Sequence, residues 1–241
     1  MARTKPAGKT RGKKKHRGKK GEPAVEKVRP RLFLVSPEDI APALLYETLA
    51  AALRSGDAAC LLVRGKDSVS IRARMEAVQS LAHAHNLAVL LHDAPELAVE
   101  LGADGVQIQA DLARYREVRS IVGDGRIVGV FCGQSRHAAM ELGEAGAEYV
   151  AFDETYPPAA VSDEQESGED DPEFSLLGWW AEVFEVPCVA FAPNEEAAVR
   201  RHAGLGVEFI RPADEMWNSA RAASEIMSRC NAVIDEVSRD E

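Results

Sequence analysis

The sequence predicts an α/β fold: a single (β/α)8 TIM barrel behind a disordered basic tail. Three observations predict it. From Arg31 onward, eight short apolar runs alternate with eight stretches of helical spacing; strands apolar on both faces belong to parallel sheets covered by helices. The alternation fills about 210 residues, and closed barrels of this kind begin near 200. The first strand-to-helix turn also lacks the Gly-rich phosphate loop that a doubly wound open sheet carries there.

Taken in order, the first strand is Leu32–Val35, followed by helical spacing over 39–55. Ala59–Val63 leads into 68–85, Ala88–Leu91 into 95–101, and Gly105–Ile108 into 111–122. The second half repeats the rhythm, with Ile127–Phe131 before 135–145, Tyr149–Phe152 before 175–184, Cys188–Phe191 before 194–203, and Val207–Ile210 before 213–237. Gly56, Gly102, Gly146 and Gly204 each close a helical run, where a left-handed residue is wanted. Leu101-Gly-Ala-Asp-Gly-Val and Ala145-Gly-Ala-Glu-Tyr-Val are two versions of one helix end turning directly into a strand. Trp179 and Trp180, with Phe174 and Phe184, read as cover for the outer wall on the sixth helix; packing against a second copy in a homo-oligomer is the other reading.

The chain divides into a polybasic tail, residues 1–29, and the barrel, residues 30–241. Ten of the 29 Lys and Arg lie in residues 1–20, which hold no acid, so the rest of the chain sets 19 bases against all 39 acids. Such a body repels polyanions. Residues 1–20 read as a solubilising extension that can also touch the acidic body; the other reading is weak contact with nucleic acid or an anionic surface, sequence-blind and salt-sensitive because no aromatic is interleaved. Between the sixth strand and its helix, residues 153–173 carry nine acids and no Lys or Arg, the composition of a mobile acidic loop. No apolar run reaches membrane-span length, and the four cysteines are scattered without a CxxC pair. These features exclude a disulfide framework or zinc ribbon and point to a cytoplasmic protein.

In a barrel, chemistry sits in the loops after the strands. There the second strand presents Arg64 and Lys66, the third His92 and Asp93, and the fourth Gln109 and Asp111. The fifth presents Cys132-Gly-Gln-Ser135, the sixth Asp153 and Glu154, the seventh Ala192-Pro193-Asn194 and the eighth Arg211. Two cations beside two carboxylates are what a Mg2+-diphosphate ligand needs: the carboxylates hold a hard metal while Arg and Lys neutralise the remaining phosphate charge. His92 has the chemistry of an acid or base near neutral pH.

Leu61-Leu-Val-Arg-Gly-Lys66, Val89-Leu-Leu-His-Asp-Ala94, the stretch from Glu96 to Ile108, Ile127–Val130 and Ala145–Phe152 followed by Tyr156-Pro157 resemble the thiamine-phosphate synthases and the thiazole tautomerases of the TenI type. The resemblance runs from about Arg31 to Arg211. It implies a (β/α)8 barrel that joins an aminopyrimidine diphosphate to a thiazole phosphate, with Mg2+ and release of pyrophosphate. It places Arg64 and Lys66 on the diphosphate and Asp93 and Asp111 on the metal. The chain departs from the pattern at Leu62 for Gln, His92 for Asn, Ala94 for Arg, Gln109-Ala110 for Gly-Gln and Cys132-Gly133-Gln134 for Thr-His-Ser/Thr. The Lys after the sixth strand is absent, and Ala192-Pro193 replaces a Gly-Gly phosphate cradle. Proline has no N–H to offer; Arg211 at the end of the eighth strand has the fork to take a phosphate there instead, and pairing with Asp214 or Glu215 is its other reading. A tautomerase-type isomerase using His92 as proton shuttle, and a non-catalytic relative that binds a ligand or partner, are the competing readings.

Overall fold

The computed structural model describes Met1 and residues 28–155 and 175–239. Among them, eight parallel strands close into a barrel in chain order. These are β1 (Arg31–Val35), β2 (Ala58–Val63), β3 (Ala88–His92), β4 (Gly105–Gln109), β5 (Ile127–Gly133), β6 (Tyr149–Phe152), β7 (Cys188–Asn194) and β8 (Phe209–Pro212). Closure is made by Arg31 opposite Phe209 and Leu32 opposite Ile210. Around the barrel lie α1 (Pro42–Ser55), α2 (Ser68–Ala84), α3 (Pro95–Leu101), α4 (Leu112–Val122), α5 (Arg136–Glu144), α6 (Leu176–Val183), α7 (Glu196–Gly204) and α8 (Ala220–Val237). The tail assigned to residues 1–29 and the acidic loop assigned to 153–173 lie outside the described residues, save Met1, Val28, Arg29 and Asp153–Thr155. Tyr156, Pro157 and Phe174 lie outside them too. Arg29 is anchored on α8, donating to Asp235 at 2.7 Å and to Asn231 at 3.1 Å.

Helix starts follow the capping residues. Asp67 accepts from the Ser70 amide at 2.7 Å while Ser70 Oγ receives the Asp67 amide, a reciprocal box at the head of α2. Asp111, Ser135, Ser175 and Ser219 cap α4, α5, α6 and α8 more simply, each side chain accepting one backbone N–H of the first turn. Ser219 also corrects the last predicted helix: 213–237 is a 3-10 turn, Asp214–Asn218, then an extended Ser219, then α8. α1 begins later than predicted, at Pro42, whose fixed φ suits the first helical position. β7 runs on to Asn194 and β8 sits two residues later than expected. Of the four helix-ending glycines, Gly102 and Gly146 have positive φ, whereas Gly56 is extended and Gly204 belongs to the last turn of α7.

Alternation along each strand sorts the core into two layers. Leu32, Leu34, Leu61, Val63, Val89, Leu91, Ile108 and Val130 face the helices. Phe33, Val35, Cys60, Leu62, Leu90, Phe131, Tyr149, Ala151 and Val189 fill the interior, with Phe191 and Phe209 packed on them. Phe33 makes edge-on contacts with Tyr149, Phe191 and Phe209 at 5.5–6.5 Å. Tyr149 can lie across the interior because β5 offers Gly129; a Cβ there would sit 1.9 Å from the ring. Its hydroxyl donates to the buried Gln107 at 2.8 Å, so each satisfies the other. Outside, Trp180 is buried under Phe184, stacked at 4.0 Å, and meets Phe152 edge-on, as expected for the outer wall. No described helix is long and apolar enough to cross a membrane.

Candidate active site

Carried one step past the aromatic layer, the inward register decides what faces the mouth. It places His92 after Leu90, Gln109 after Gln107, Arg211 after Phe209 and, just beyond β2, Arg64 after Leu62. Asp93, Lys66 and Asp111 lie in the adjoining loops. Lys66, His92 and Asp93 line one cleft of about 570 Å³ between the heads of α2 and α3.

Arg64 is held by two residues from the loop after β1. Its amide donates to Ser36 Oγ at 2.9 Å, and its guanidinium pairs with Glu38. Arg74, only 5% exposed, ties the same two loops together: Nε donates to the Ile40 carbonyl at 2.8 Å and Nη1 to the Arg64 carbonyl at 3.3 Å. No carboxylate lies within ion-pair distance of Arg74 among the described residues, so its fork serves backbone alone. Lys66, exposed, likewise has no ion-pair partner among them.

His92 is mostly buried and its Nδ1 has no partner. Burial, followed by the nearby Arg64 charge, holds its pKa below the usual 6.5, so the imidazole is neutral at pH 7. Asp93 adopts a left-handed backbone (φ 45°), and its amide donates to the Gln107 carbonyl at 2.9 Å. That conformation is costly for most residues but tolerated by Asp. Asp93 Oδ1 accepts from Arg114 Nη2 at 2.9 Å; Asp111 Oδ1 accepts from the Arg114 amide at 2.7 Å. Neither Oδ2 has a partner among the described residues. These are hard oxygen donors, and no group of three or more metal-binding side chains occurs among the described residues. Two carboxylates fit Mg2+, which takes its other ligands from phosphate and water.

The opposite side of the mouth is closed on itself. Asn194, buried, donates to the carbonyls of Ala190, Ala192 and Arg211, locking the end of β7 onto β8. Arg211, 8% exposed, gives Nη1 to the Phe191 carbonyl at 3.1 Å and Nη2 to both oxygens of Asp214 at 2.6 and 2.8 Å. Its guanidinium lies 5.3 Å from the Phe191 ring centre, and Nε alone is unpartnered. Cys132 is buried and its thiol is pushed up to about 12, which removes it as a nucleophile near pH 7.

The structure thus gathers Arg64, Lys66, His92, Asp93 and Asp111 on one side and sets Arg211 on the other. Sequence reasoning missed Glu38, Ser36, Arg74 and Arg114. Arg114 carried a weak signal, a base three residues after a helix-capping Asp, but its ion pair with Asp93 spans 21 residues.

The thiamine monophosphate synthase family model matches residues 32–211. A thiamine-phosphate synthase of Rhodospirillum centenum is 37% identical over 206 residues, covering 85% of this chain and 97% of that one. Another from Erythrobacter litoralis is 34% identical over 197 residues, covering 80% and 91%. A thiamine phosphate pyrophosphorylase from Pyrococcus furiosus superposes with a TM-score of 0.67 at 17% identity, over 87% of this chain and 97% of that one, a likeness of fold.

Proposed function

This chain belongs to the thiamine monophosphate synthase family, and from that premise we propose that it joins an aminopyrimidine diphosphate to a thiazole phosphate, releasing pyrophosphate. The observation that carries the reading is the shared cleft of Lys66, His92 and Asp93, with the Arg64 charge near enough to act on His92. The pyrimidine methylene–oxygen bond breaks, the electron pair leaves with the diphosphate, and the thiazole nitrogen forms the new C–N bond. Lys66 and Arg64 grip the diphosphate, and Asp93 and Asp111 would hold Mg2+. When bound, the cation neutralises the charge that collects on the leaving group. His92, neutral at pH 7 and lining the cleft, takes a proton from the aminopyrimidine as the ring becomes cationic. Arg211 takes the thiazole phosphate by exchanging Asp214 for it. Substrates this charged do not cross bilayers unaided, which supports a cytoplasmic location.

The ties of Asn194 and Arg211 to the protein's own groups favour a second reading, a thiazole tautomerase in which His92 moves a proton and no diphosphate is needed. One assay separates the two. Full-length protein receives Mg2+, both phosphorylated substrates and, separately, a thiazole tautomer, with product read by mass spectrometry. Thiamine phosphate that falls at least ~100-fold in Asp93→Ala supports the synthase, at roughly 1.4 kcal/mol of lost transition-state stabilisation per decade. Turnover of the tautomer alone, lost in His92→Ala, replaces it with the isomerase. Neither turnover leaves a non-catalytic binding protein.

A further inference from the structure

We propose that Arg114 is a built-in counter-ion for the metal-binding carboxylates: it neutralises Asp93 in the ligand-free protein and passes to the diphosphate when the cation takes its place. This rests on the reading that Asp93 and Asp111 hold Mg2+. One residue touches both acids, through its guanidinium to Asp93 Oδ1 (2.9 Å from Nη2, 3.3 Å from Nε) and through its backbone amide to Asp111 Oδ1 (2.7 Å).

Two local preferences are broken at this contact. Arg114 is the third residue of α4, where a cation opposes the helix dipole. Asp93 meets it from a left-handed backbone held by the Gln107 carbonyl. Departures from local rules that converge on one contact mark a functional arrangement.

Asp93 Oδ2 is open to a divalent cation while Oδ1 holds the guanidinium, but both positive charges then draw on one carboxylate and repel each other across its width. The cation therefore weakens the arginine's hold on Asp93. Arg114 Nη1 also donates to Glu117 at 2.9 Å, a second hold one turn along α4 that keeps the side chain beside the cleft once Asp93 lets go. A planar fork of donors released next to Asp93 is suited to paired phosphate oxygens.

The test is calorimetry on full-length protein, first with Mg2+ alone, then with inorganic pyrophosphate at saturating Mg2+. Removing the competing charge in Arg114→Gln should tighten Mg2+ alone by about three- to tenfold and weaken pyrophosphate by a similar factor, the span of an exposed charge-assisted contact. Arg114→Lys, which keeps the charge and loses the fork, should leave Mg2+ near the wild-type value and still weaken pyrophosphate. Unchanged or weaker Mg2+ binding in Arg114→Gln would overturn the counter-ion role, and unchanged pyrophosphate affinity the transfer. Asp93→Asn separates the layers. If it abolishes Mg2+ binding while Arg114→Gln does nothing, the metal site stands and the proposal falls. If wild-type protein binds no Mg2+, both fall.

Discussion

On the β2–β4 side of the mouth, Lys66 has no ion-pair partner among the described residues, and His92 keeps a buried nitrogen unpaired. Asp93 and Asp111 there each hold an oxygen in reserve. On the β7–β8 side, Asn194 gives its amide hydrogens to three carbonyls, and Arg211 binds Asp214 with one nitrogen and the Phe191 carbonyl with another. Both sides follow one inward register on the same barrel. The exposed Lys66 and the free carboxylate oxygens of Asp93 and Asp111 are open to a charged ligand, whereas Asn194 and Arg211, its Nε excepted, are already bound to the protein's own carbonyls and carboxylate, so a ligand there must first displace Asp214.

The comparison predicts its largest effect at Arg64. Arg64→Met should lower kcat/KM for synthesis by about 100-fold, as it removes a cation from the diphosphate and leaves Glu38 uncompensated at the mouth. An equal loss in Arg211→Met, at unchanged stability, would break the contrast between the two sides. Arg211→Met should lower kcat/KM by a smaller factor, through KM for the thiazole phosphate, and should also cost about 1–3 kcal/mol in urea unfolding. It strands the Phe191 carbonyl and the Asp214 carboxylate, and the latter is half exposed and so partly rehydrated.

The smallest effect concerns His202 on α7, behind the same side. It is buried with Nδ1 unpartnered, and burial together with the Arg201 charge holds its pKa below 6.5. Below pH 6.5 the unfolded chain therefore binds a proton that the folded chain refuses. The stability this group contributes is complete above pH 6.5 and is lost as pH falls toward the depressed folded value. His202→Gln should flatten the decline of the urea midpoint as pH falls below about 6.5 and leave its pH dependence above that unchanged.

Most of the fold was legible because its signals are local. Apolar runs, capping Asp and Ser, and helix-ending glycines act over a few residues, and all eight strands fell within two or three residues of where those signals put them. The error at 213–237 is of the same kind: Ser219 is a capping residue inside a helical pattern, and capping won. In the candidate site, Arg64, Lys66, His92, Asp93, Asp111 and Arg211 could be named from their place after a strand. Asp214, three residues beyond Arg211, could be named as well, but the partners of the others could not. Glu38 meets Arg64 across 26 residues and Arg114 meets Asp93 across 21, and no local pattern encodes either pairing.

By itself, then, the sequence determined a closed α/β barrel and the short set of charged residues on its rim, since alternation and spacing are properties of the chain. Tertiary structure decided which of those charges are already neutralised. It gave Arg211 to Asp214, Arg64 to Glu38 and Asp93 to Arg114, and it left Lys66 and a nitrogen of His92 for something else. The physical reason is range: periodicity, and a neighbour such as Asp214 three residues after Arg211, are written within a turn or two of chain, whereas the Arg64–Glu38 and Arg114–Asp93 pairs depend on separations through space that exist only once the barrel has closed.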